Sequence, residues 1–285
     1  MKITIDRALI KSVISLASVI EARDPYTGGH TWRVGQYAVK LAEKAGLSED
    51  ELFVVNLGGL VHDLGKVGIS DSILLNPGTL TFDEYENMKQ HPQIGYELIM
   101  SHPLYSILVD SVTQHHERVD GTGYPNGISG SDLSIIGRIT AIADSFDAMT
   151  STRPYRVGMT AETAISILES EKNKQFDAEL VDKFVELFDA GALEHILGHC
   201  GDERLMLSCT HCGPIIVPSS KYESGDFVIC PACRGEYMMK QVEDSFGVEF
   251  TGKLLSFVVP KADMHEIDAF MNKLPNSIEL KVASK

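Results

Sequence analysis

The chain has 285 residues, an apolar content of 44% and a formal net charge of −15. This length accommodates one large domain with a smaller one, and the composition is that of an ordinary globular protein. The acidic balance argues against a nucleic-acid partner, because a broad nucleic-acid interface needs a basic face. An anionic small substrate is still compatible with it, since bound divalent cations would invert the local potential.

The amino-terminal residues 1–7 lack the unbroken apolar core of a signal peptide. No apolar run along the chain approaches the roughly 18–20 residues that span a bilayer. We therefore expect a cytoplasmic protein without a membrane partner. Four of the five cysteines form two Cys-x-x-Cys pairs, which in a reducing compartment favours metal binding over disulfides.

Helical periodicity dominates the first two thirds of the chain. The predicted helices cover residues 9–24, 31–45, 49–64, 82–90, 93–100, 104–116, 132–150, 160–170 and 177–189. The first helix has an apolar stripe at Leu9, Val13, Leu16 and Ile20. Gly46 ends the second helix, and a capping sequence at 48–51 begins the third. No strand alternation is visible before about residue 205, so residues 1–195 are predicted to form a mainly α domain.

Residues 196–285 differ in character and predict a small, β-rich α+β appendage. Their strand-like runs are 215–217, 227–229, 248–250, 254–259 and 278–282. A helix is predicted near 263–273. These short elements predict a second, smaller unit that follows the helical domain.

Two Cys-x-x-Cys pairs, separated by residues 213–229, flank the first two of these runs. The four thiols are those of Cys209, Cys212, Cys230 and Cys233. This spacing is typical of a zinc ribbon over about 205–240, with one structural Zn held by all four cysteines. Iron in the same cage and a redox or metal-free role stay open. Ribbons more often brace a fold or contact proteins than perform chemistry, so a protein partner through this segment stays open too.

A set of histidine and aspartate side chains recurs near the predicted helix ends. Its members are His30, His62, Asp63, His91, His115, His116 and Asp144. A single histidine on an apolar face is usually a satisfied core residue. Burying this many ionisable groups is unfavourable unless they are paired or bound to metal. Imidazole and carboxylate ligands suit Fe, Mn, Zn or Ni better than Mg or Ca.

The predicted helix over 132–150 shows how one such carboxylate is presented. Asp144, Asp147 and Ser151 share a face that is separate from the apolar stripe of this helix. A carboxylate on that face can meet ligands from a neighbouring helix without disturbing the core. The alternative is an ordinary solvated helix face.

Several separate motifs resemble, in order along the chain, the HD-GYP family of HD-superfamily phosphodiesterases. They are His-Asp-Leu-Gly-Lys at 62–66, His-Pro at 91–92, the run from the histidine pair to Gly-Tyr-Pro at 115–125, and residues 144–156. The resemblance covers roughly residues 20–190. It implies a helical bundle that hydrolyses cyclic di-GMP or a related cyclic dinucleotide.

The resemblance also implies a site for two divalent transition metal ions, with Fe or Mn as the best candidates. One ion would be held by His30, His62, Asp63 and Asp144. The other would be held by His91, His115 and His116, with Asp63 bridging the two. Two such ions can share a hydroxide, lower its pKa and neutralise phosphate oxygens.

Five further residues receive roles from the same resemblance. Lys66 would contact the scissile phosphate or the leaving oxygen as a point charge, and Tyr124 would face the substrate from its turn. Arg153 and Arg156 would bind guanine or phosphate through their planar guanidinium groups. Asp147 would orient a ligand or a substrate-side water. The alternatives are an exposed lysine and arginines in surface salt bridges.

One position departs from the family pattern. Some relatives carry a glutamate four residues before the first histidine, where it helps to hold a third metal, but this chain has Tyr26 there. A tyrosine replaces that ligand poorly at neutral pH, because its pKa is about 10. We therefore expect a binuclear site and linear pGpG as the main product, with further cleavage to GMP left open.

Other functions stay open at this point. The chain could be an HD-type phosphohydrolase of another nucleotide, a non-catalytic module that binds a cyclic dinucleotide and signals, or a di-iron oxygenase. The Gly-Tyr-Pro turn and the histidine pair favour the cyclic-dinucleotide phosphodiesterase. A homodimer is compatible with the sequence but is not required by it.

Overall fold

The computed structural model describes residues 2–24, 26–76, 78–153, 156–202, 204–218, 222–242, 245–256 and 264–279. The α-helices are α1 (Arg7–Arg23), α2 (His30–Ala45), α3 (Glu49–Val61), α4 (Asp71–Leu74), α5 (Phe82–Met88), α6 (His91–Ile99), α7 (Tyr105–Gln114), α8 (Ile135–Thr150), α9 (Ala161–Ser170), α10 (Ala178–Asp189) and α11 (Met264–Asn272). The β-strands are β1 (Lys2–Thr4), β2 (His199–Gly201), β3 (Arg204–Leu205), β4 (Leu207–Cys209), β5 (Gly213–Ile216), β6 (Phe227–Ile229), β7 (Gly235–Val242), β8 (Ser245–Leu254) and β9 (Ser277–Glu279). Short 3₁₀ helices span Leu64–Gly68 and Gly130–Asp132. The predicted mainly α bundle with a small strand-rich appendage is confirmed.

The predicted helices form close to their predicted bounds. A capping box at residues 48–51 begins α3, and α2 ends at Gly46. One detail of the first helix is wrong, because Leu16 is 44% exposed while Ile10 and Ile14 are buried. The partners of α1 include α3 and the distant α11, and a local periodicity does not reveal which face those partners will cover.

Helices α2, α3, α7 and α8 surround one apolar core. Three buried rings meet edge to face there: the ring centroids of Tyr37 and Phe146 lie 5.2 Å apart, and those of Phe146 and Phe184 lie 5.0 Å apart. Burying one such side chain contributes roughly 1.5–3 kcal/mol. A short loop makes α2 and α3 antiparallel neighbours, so the start of α2 lies beside the end of α3.

A close backbone contact brings the 62–66 motif against α6. A Cβ atom on Gly65 would lie 1.8 Å from the carbonyl oxygen of His91 and 2.5 Å from the nitrogen of Gly95. Only glycine permits this approach. The turn after α3 is therefore fixed beside the first residue of α6.

The appendage has its own small core. Strands β4 and β5 form one antiparallel hairpin, and β6, β7 and β8 form an antiparallel sheet in that order. The fully buried Tyr237 of β7 packs there with Ile215 and Val228. The predicted runs at 215–217 and 227–229 correspond to β5 and β6. The predicted strand 254–259 is wrong at residues 255–256, which follow the end of β8, and its residues 257–259 lie outside the described ranges.

The tail returns to the helical bundle. Helix α11 packs on α1, and β9 pairs antiparallel with β1. Ile267, Met271 and Ile278 consequently belong to the core of the bundle. The expectation that no strand precedes about residue 205 is wrong, because β1 and β2 do so. These strands have three residues each, too few to show alternation, and β1 depends on a partner at the other end of the chain.

Within the described ranges, no helix is both long enough and apolar enough to cross a membrane.

Candidate metal centre

The first cluster of predicted ligands forms where α2, α3 and α8 meet. His30 is the first residue of α2, His62 follows the last residue of α3, and Asp144 lies in α8. Their ligand atoms lie within 4.8 Å of one another. Nε2 of His30 lies 3.4 Å from Oδ1 of Asp144, and Nε2 of His62 lies 3.7 Å from the same oxygen. Three residues that are distant in sequence thus converge on one point.

The second cluster lies beside the first and is made of histidines alone. His91 begins α6, and His115 and His116 follow the end of α7. The ligand atoms of all three lie within 4.8 Å of one another, and Nε2 of His91 lies 3.0 Å from Nε2 of His115. This arrangement offers three imidazole nitrogens to a single ion.

Asp63 lies between the two clusters and turns one carboxylate oxygen toward each. Its Oδ2 lies 3.3 Å from Nε2 of His62 and 3.7 Å from Nε2 of His30. Its Oδ1 lies 3.4 Å from Nε2 of His91 and 3.9 Å from Nε2 of His115. This is the position that a carboxylate bridging two ions requires.

Three histidines have their rings fixed by backbone carbonyl groups. The Nδ1–H groups of His62, His91 and His115 donate to the carbonyl oxygens of Gly59, Met88 and Ser111, each over 2.8 Å. A neutral ring that donates from Nδ1 leaves the Nε2 lone pair available to a metal. Nε2 of His62 is buried and has no hydrogen-bond partner among the described residues. Such an orphaned nitrogen fits a metal ligand.

Burial keeps the second cluster neutral. It lowers the pKa of His91 to about 3 and also lowers the pKa values of His115 and His116. Metal ligation needs the unprotonated ring, so these three histidines are prepared to bind without first losing a proton. The donor set therefore fits a divalent transition metal better than an alkaline-earth ion.

His30 differs because it lies among carboxylates. Its Nδ1 lies 2.7 Å from Oδ2 of the buried Asp147. Burial alone would lower the pKa of His30, but Asp147, Asp63 and Asp144 outweigh it and raise the pKa to about 9. Asp147 is held in turn by the buried guanidinium of Arg33, whose Nε lies 2.5 Å from Oδ1. The predicted orienting role of Asp147 agrees with this geometry.

Lys66 reaches back from the 3₁₀ helix to the bridging carboxylate. Its Nζ lies 2.6 Å from Oδ2 of Asp63. Burial would raise the pKa of Asp63, but the charge of Lys66, together with interactions with the neighbouring histidines, outweighs it and holds this pKa well below its usual range. The Asp63 charge likewise outweighs the burial of Lys66 and raises the pKa of the lysine. A positive charge thus lies beside the predicted metal ligands.

A cavity of about 650 Å³ opens over both clusters. The predicted site residues that line it are His30, Asp63, Lys66, His91, His116, Tyr124, Asp144, Arg153 and Arg156. Tyr124 stacks on His116, with ring centroids 4.8 Å apart, and Nζ of Lys89 lies 5.5 Å from the centroid of the tyrosine ring. Tyr26, at the position of the family glutamate, lines the same cavity.

The two arginines face the cavity but also make local contacts. Nη1 of Arg153 lies 3.8 Å from Oδ2 of Asp24. Nη2 of Arg156 donates to the carbonyl oxygen of Ala148 over 2.7 Å. Nε of Arg156 is buried without a hydrogen-bond partner among the described residues.

Sequence reasoning missed two buried charged residues that support the site. Glu117 is buried, and its carboxylate accepts hydrogen bonds from the backbone N–H groups of Asn126 and Ile128 over 2.7 and 3.1 Å. It thereby fixes the loop that follows Tyr124. The other is Arg33, which is fully buried beside Asp147. A charged residue within the buried stripe of the second predicted helix was the available signal for Arg33.

The four predicted zinc ligands also come together. The Sγ atoms of Cys209, Cys212, Cys230 and Cys233 lie within 4.8 Å of one another. The hydroxyl of Tyr237 lies 3.0 Å from Sγ of Cys209, and the N–H group of Cys212 lies 3.4 Å from it. These donors outweigh burial and lower the pKa of Cys209 to about 6, whereas burial raises the pKa of Cys212 to about 12. One thiolate is thus prepared for a cation.

The chain is similar in sequence to a known protein family and to several known proteins. A family profile described as an HD domain matches residues 15–180. The cyclic di-GMP phosphodiesterase response regulator RpfG of Xanthomonas campestris is 41% identical over 185 residues, which are 64% of this chain and 48% of the relative. A cyclic di-GMP phosphodiesterase of Thermotoga maritima is 42% identical over 169 residues, 59% of this chain and 46% of the relative.

One solved structure has a similar fold. A cyclic GMP-AMP specific phosphodiesterase of Vibrio cholerae superimposes with a TM-score of 0.51 at 19% identity, covering 65% of this chain and 50% of that one. This likeness concerns the fold. The chain spans about half the length of these curated relatives and of this structure.

Proposed function

The chain belongs to the HD domain family, and we propose that it is a metal-dependent phosphodiesterase that hydrolyses a cyclic dinucleotide. The observation that carries the proposal is the position of Asp63, which turns one oxygen to each of two histidine clusters. Relatives at 41% and 42% identity that are named cyclic di-GMP phosphodiesterases support cyclic di-GMP as the preferred substrate.

The proposed cofactors are two divalent transition metal ions, with Fe or Mn as the best candidates. His30, His62 and Asp144 would hold one ion, and His91, His115 and His116 the other, with Asp63 shared. The neutral imidazoles of His91, His115 and His116 and the orphaned nitrogen of His62 support this assignment. When bound, two such ions lower the pKa of a water between them and neutralise phosphate oxygens.

The chain's own residues would bind and orient the substrate. Lys66 is protonated, reaches the Asp63 carboxylate and borders the cavity, so it can donate a proton or a hydrogen bond to the leaving oxygen. Arg153 and Arg156 line the cavity and can bind phosphate or a guanine edge there. Tyr124, braced by His116, offers a flat apolar face to a base.

Tyr26 supports a site for two metal ions per chain rather than three. Burial raises the pKa of Tyr26 above that of a free phenol. A phenol that is this hard to ionise is a poor metal ligand at neutral pH. A binuclear site would release linear pGpG as the main product of cyclic di-GMP.

We propose that one structural Zn ion is bound by Cys209, Cys212, Cys230 and Cys233. The four sulfur atoms lie as close together as tetrahedral ligation requires, and the appendage is too small to be stable through its apolar core alone. Zinc would deprotonate the thiols and link β4–β5 to β6–β7.

A second candidate substrate is a mixed cyclic dinucleotide. A 3'3'-cGAMP-specific phosphodiesterase of Vibrio cholerae is 40% identical to this chain over 179 residues, which are 62% of this chain and 34% of the relative.

The test is an assay of the full chain, loaded anaerobically with Mn²⁺ or Fe²⁺, against a panel of cyclic dinucleotides, with products separated by chromatography. We expect cyclic di-GMP to be converted to pGpG. Binding without turnover by the metal-loaded protein would contradict the proposal and favour a sensory module. Rapid accumulation of GMP, or three metals per chain, would contradict the binuclear assignment.

A further inference from the structure

The segment 26–29, which leads into α2, is enclosed by the appendage. A Cβ atom on Gly28 would lie 2.5 Å from Cγ2 of Val217, the residue after β5. A Cβ atom on Gly29 would lie 2.6 Å from Cα of Cys200 in β2. The backbone that delivers the first metal ligand thus packs directly against two parts of the appendage.

The appendage also contacts the active-site wall on either side of this segment. Tyr26 packs against the appendage core and lines the active-site cavity. A Cβ atom on Gly213 of β5 would be in van der Waals contact with Thr152, 3.5 Å from its Cγ2. Thr152 precedes Arg153, one of the two arginines that line the cavity.

A chain of buried hydrogen bonds connects the appendage to the metal centre. Nη1 of Arg33 donates to the carbonyl oxygen of His199 in β2 over 2.8 Å, and to that of Gly28 over 3.1 Å. The Nε and Nη2 atoms of the same guanidinium contact the Asp147 carboxylate. Asp147 accepts the hydrogen bond of His30 at Nδ1. The orientation of the His30 ring therefore depends on the Arg33 guanidinium, which is anchored by a carbonyl group of β2.

The other cluster is anchored differently. Nδ1 of His91 donates to the carbonyl oxygen of Met88 in α5, and Nδ1 of His115 to that of Ser111 in α7. His116 stacks on Tyr124. These supports belong to the helical bundle, so the second cluster has its own source of rigidity.

We infer that the zinc-bound appendage sets the metal affinity of one of the two sites, the one formed by His30, His62 and Asp144. Arg33 is a positioning residue: it contacts β2 on one side and, through Asp147, holds the ring of His30 on the other. Loss of zinc would loosen β5 and the contact of Val217 with Gly28, release the segment 26–29 and weaken this site, while the all-histidine site keeps its affinity. This inference rests on the proposed binuclear centre and adds zinc as a regulator of its occupancy.

The test is a pair of substitutions at the contact between Gly28 and Val217. Gly28→Ala inserts a methyl group against Val217, and Val217→Ala makes room for it, because the next neighbour of the added Cβ is 3.8 Å away. Mn²⁺ binding is measured by equilibrium dialysis with elemental analysis. Mn²⁺ electron paramagnetic resonance distinguishes a coupled pair from a single ion. Neither readout requires catalysis.

The Gly28→Ala chain should bind one Mn²⁺ ion with the wild-type affinity. It should bind the second ion about 10- to 100-fold more weakly. Its electron paramagnetic resonance spectrum should be that of an isolated Mn²⁺ ion. The double variant Gly28→Ala with Val217→Ala should recover the coupled spectrum, and Val217→Ala alone should match the wild type. Wild-type affinities in Gly28→Ala, or a double variant as weak as the single one, would overturn the inference.

A second test removes two of the proposed zinc ligands with the double variant Cys209→Ser and Cys212→Ser in the full chain. We expect zinc to be lost and the spectrum to change from a coupled pair to an isolated Mn²⁺ ion. Two Mn²⁺ ions bound with wild-type affinities in this zinc-free chain would overturn the inference. A wild-type chain that binds fewer than two Mn²⁺ ions would instead refute the binuclear centre itself, so the two failures are distinguishable.

Discussion

Oδ2 of Asp147 lies 2.7 Å from Nδ1 of His30, and both side chains are buried. The second oxygen of Asp147 is held by Arg33. The carboxylate thus fixes the ring of a proposed metal ligand while neutralising a buried cation.

Asp147→Asn is expected to destabilise the metal-free chain by about 3–5 kcal/mol at pH 7, because it leaves the buried Arg33 charge without a partner. Arg33 and His30 outweigh burial and hold the pKa of Asp147 below its ordinary value of 3.8. A carboxylate with a lowered pKa stabilises the fold above its unfolded pKa, and this contribution is lost as the pH falls below about 4. Urea unfolding at pH 7, 5 and 3.5 measures both effects.

The matched control is Asp71→Asn, which breaks the exposed pair of Asp71 with Arg23. Exposed pairs contribute about 0–1 kcal/mol, so the unfolding midpoint should hardly move. An Asp147→Asn penalty that equals the control, or that grows as the pH falls from 5 to 3.5, would contradict the buried-pair account.

Lys66→Met removes the positive charge beside the bridging carboxylate. Because Nζ of Lys66 lies 2.6 Å from Asp63 and borders the cavity, we expect kcat to fall about 10²- to 10³-fold, as for loss of one preorganised donor. Lys174→Met, at an exposed lysine paired with Glu171, should leave kcat unchanged. Equal activities of the two variants would argue against a role for Lys66 in the reaction.

Glu117→Ala removes the acceptor for two backbone N–H groups in the loop after Tyr124. We expect a loss of about 1–3 kcal/mol of stability and a larger KM, because the loop that presents Tyr124 loses its buried anchor. Glu117→Gln keeps one amide oxygen and should lie between the wild type and the alanine variant. Steady-state kinetics and urea unfolding provide the two readouts, and an alanine variant with unchanged KM would contradict the proposed anchoring.

Zinc removal should unfold the appendage before the helical bundle. A strong chelator is expected to open residues 205–256 to trypsin while the helical circular dichroism signal is largely retained, since the proposed Zn links two hairpins of a small core. Adding Zn²⁺ back should restore protection, and adding Mg²⁺ should not. Equal resistance to trypsin with and without the chelator would contradict a structural zinc site.

Local sequence features predicted the helical bundle and the composition of its site. The capping residues at 48–51 and the stop at Gly46 marked helix ends, and the chemistry of His30, His62 and Asp144 pointed to a metal. Their convergence depends on the packing of α2, α3 and α8, which no local pattern specifies. The motif order supplied that information through resemblance to a family.

Local sequence patterns could not predict the pairings between elements that are distant in the sequence. Strand β1 has three residues and depends on β9, and the buried face of α1 is selected by α11. Arg33 shows the same limit, because its role depends on Asp147 and on a carbonyl group of His199 in β2, far away in the sequence.

The central claim is that Asp63 bridges two catalytic metal ions, and the most direct test compares cyclic di-GMP hydrolysis by Mn²⁺-loaded wild type and Asp63→Asn. The substitution keeps the shape of the side chain but removes the charge shared by the two clusters. We expect the wild type to release pGpG and the variant to fall to the rate of a protein-free control. Full activity of Asp63→Asn, at any metal content, would contradict the account.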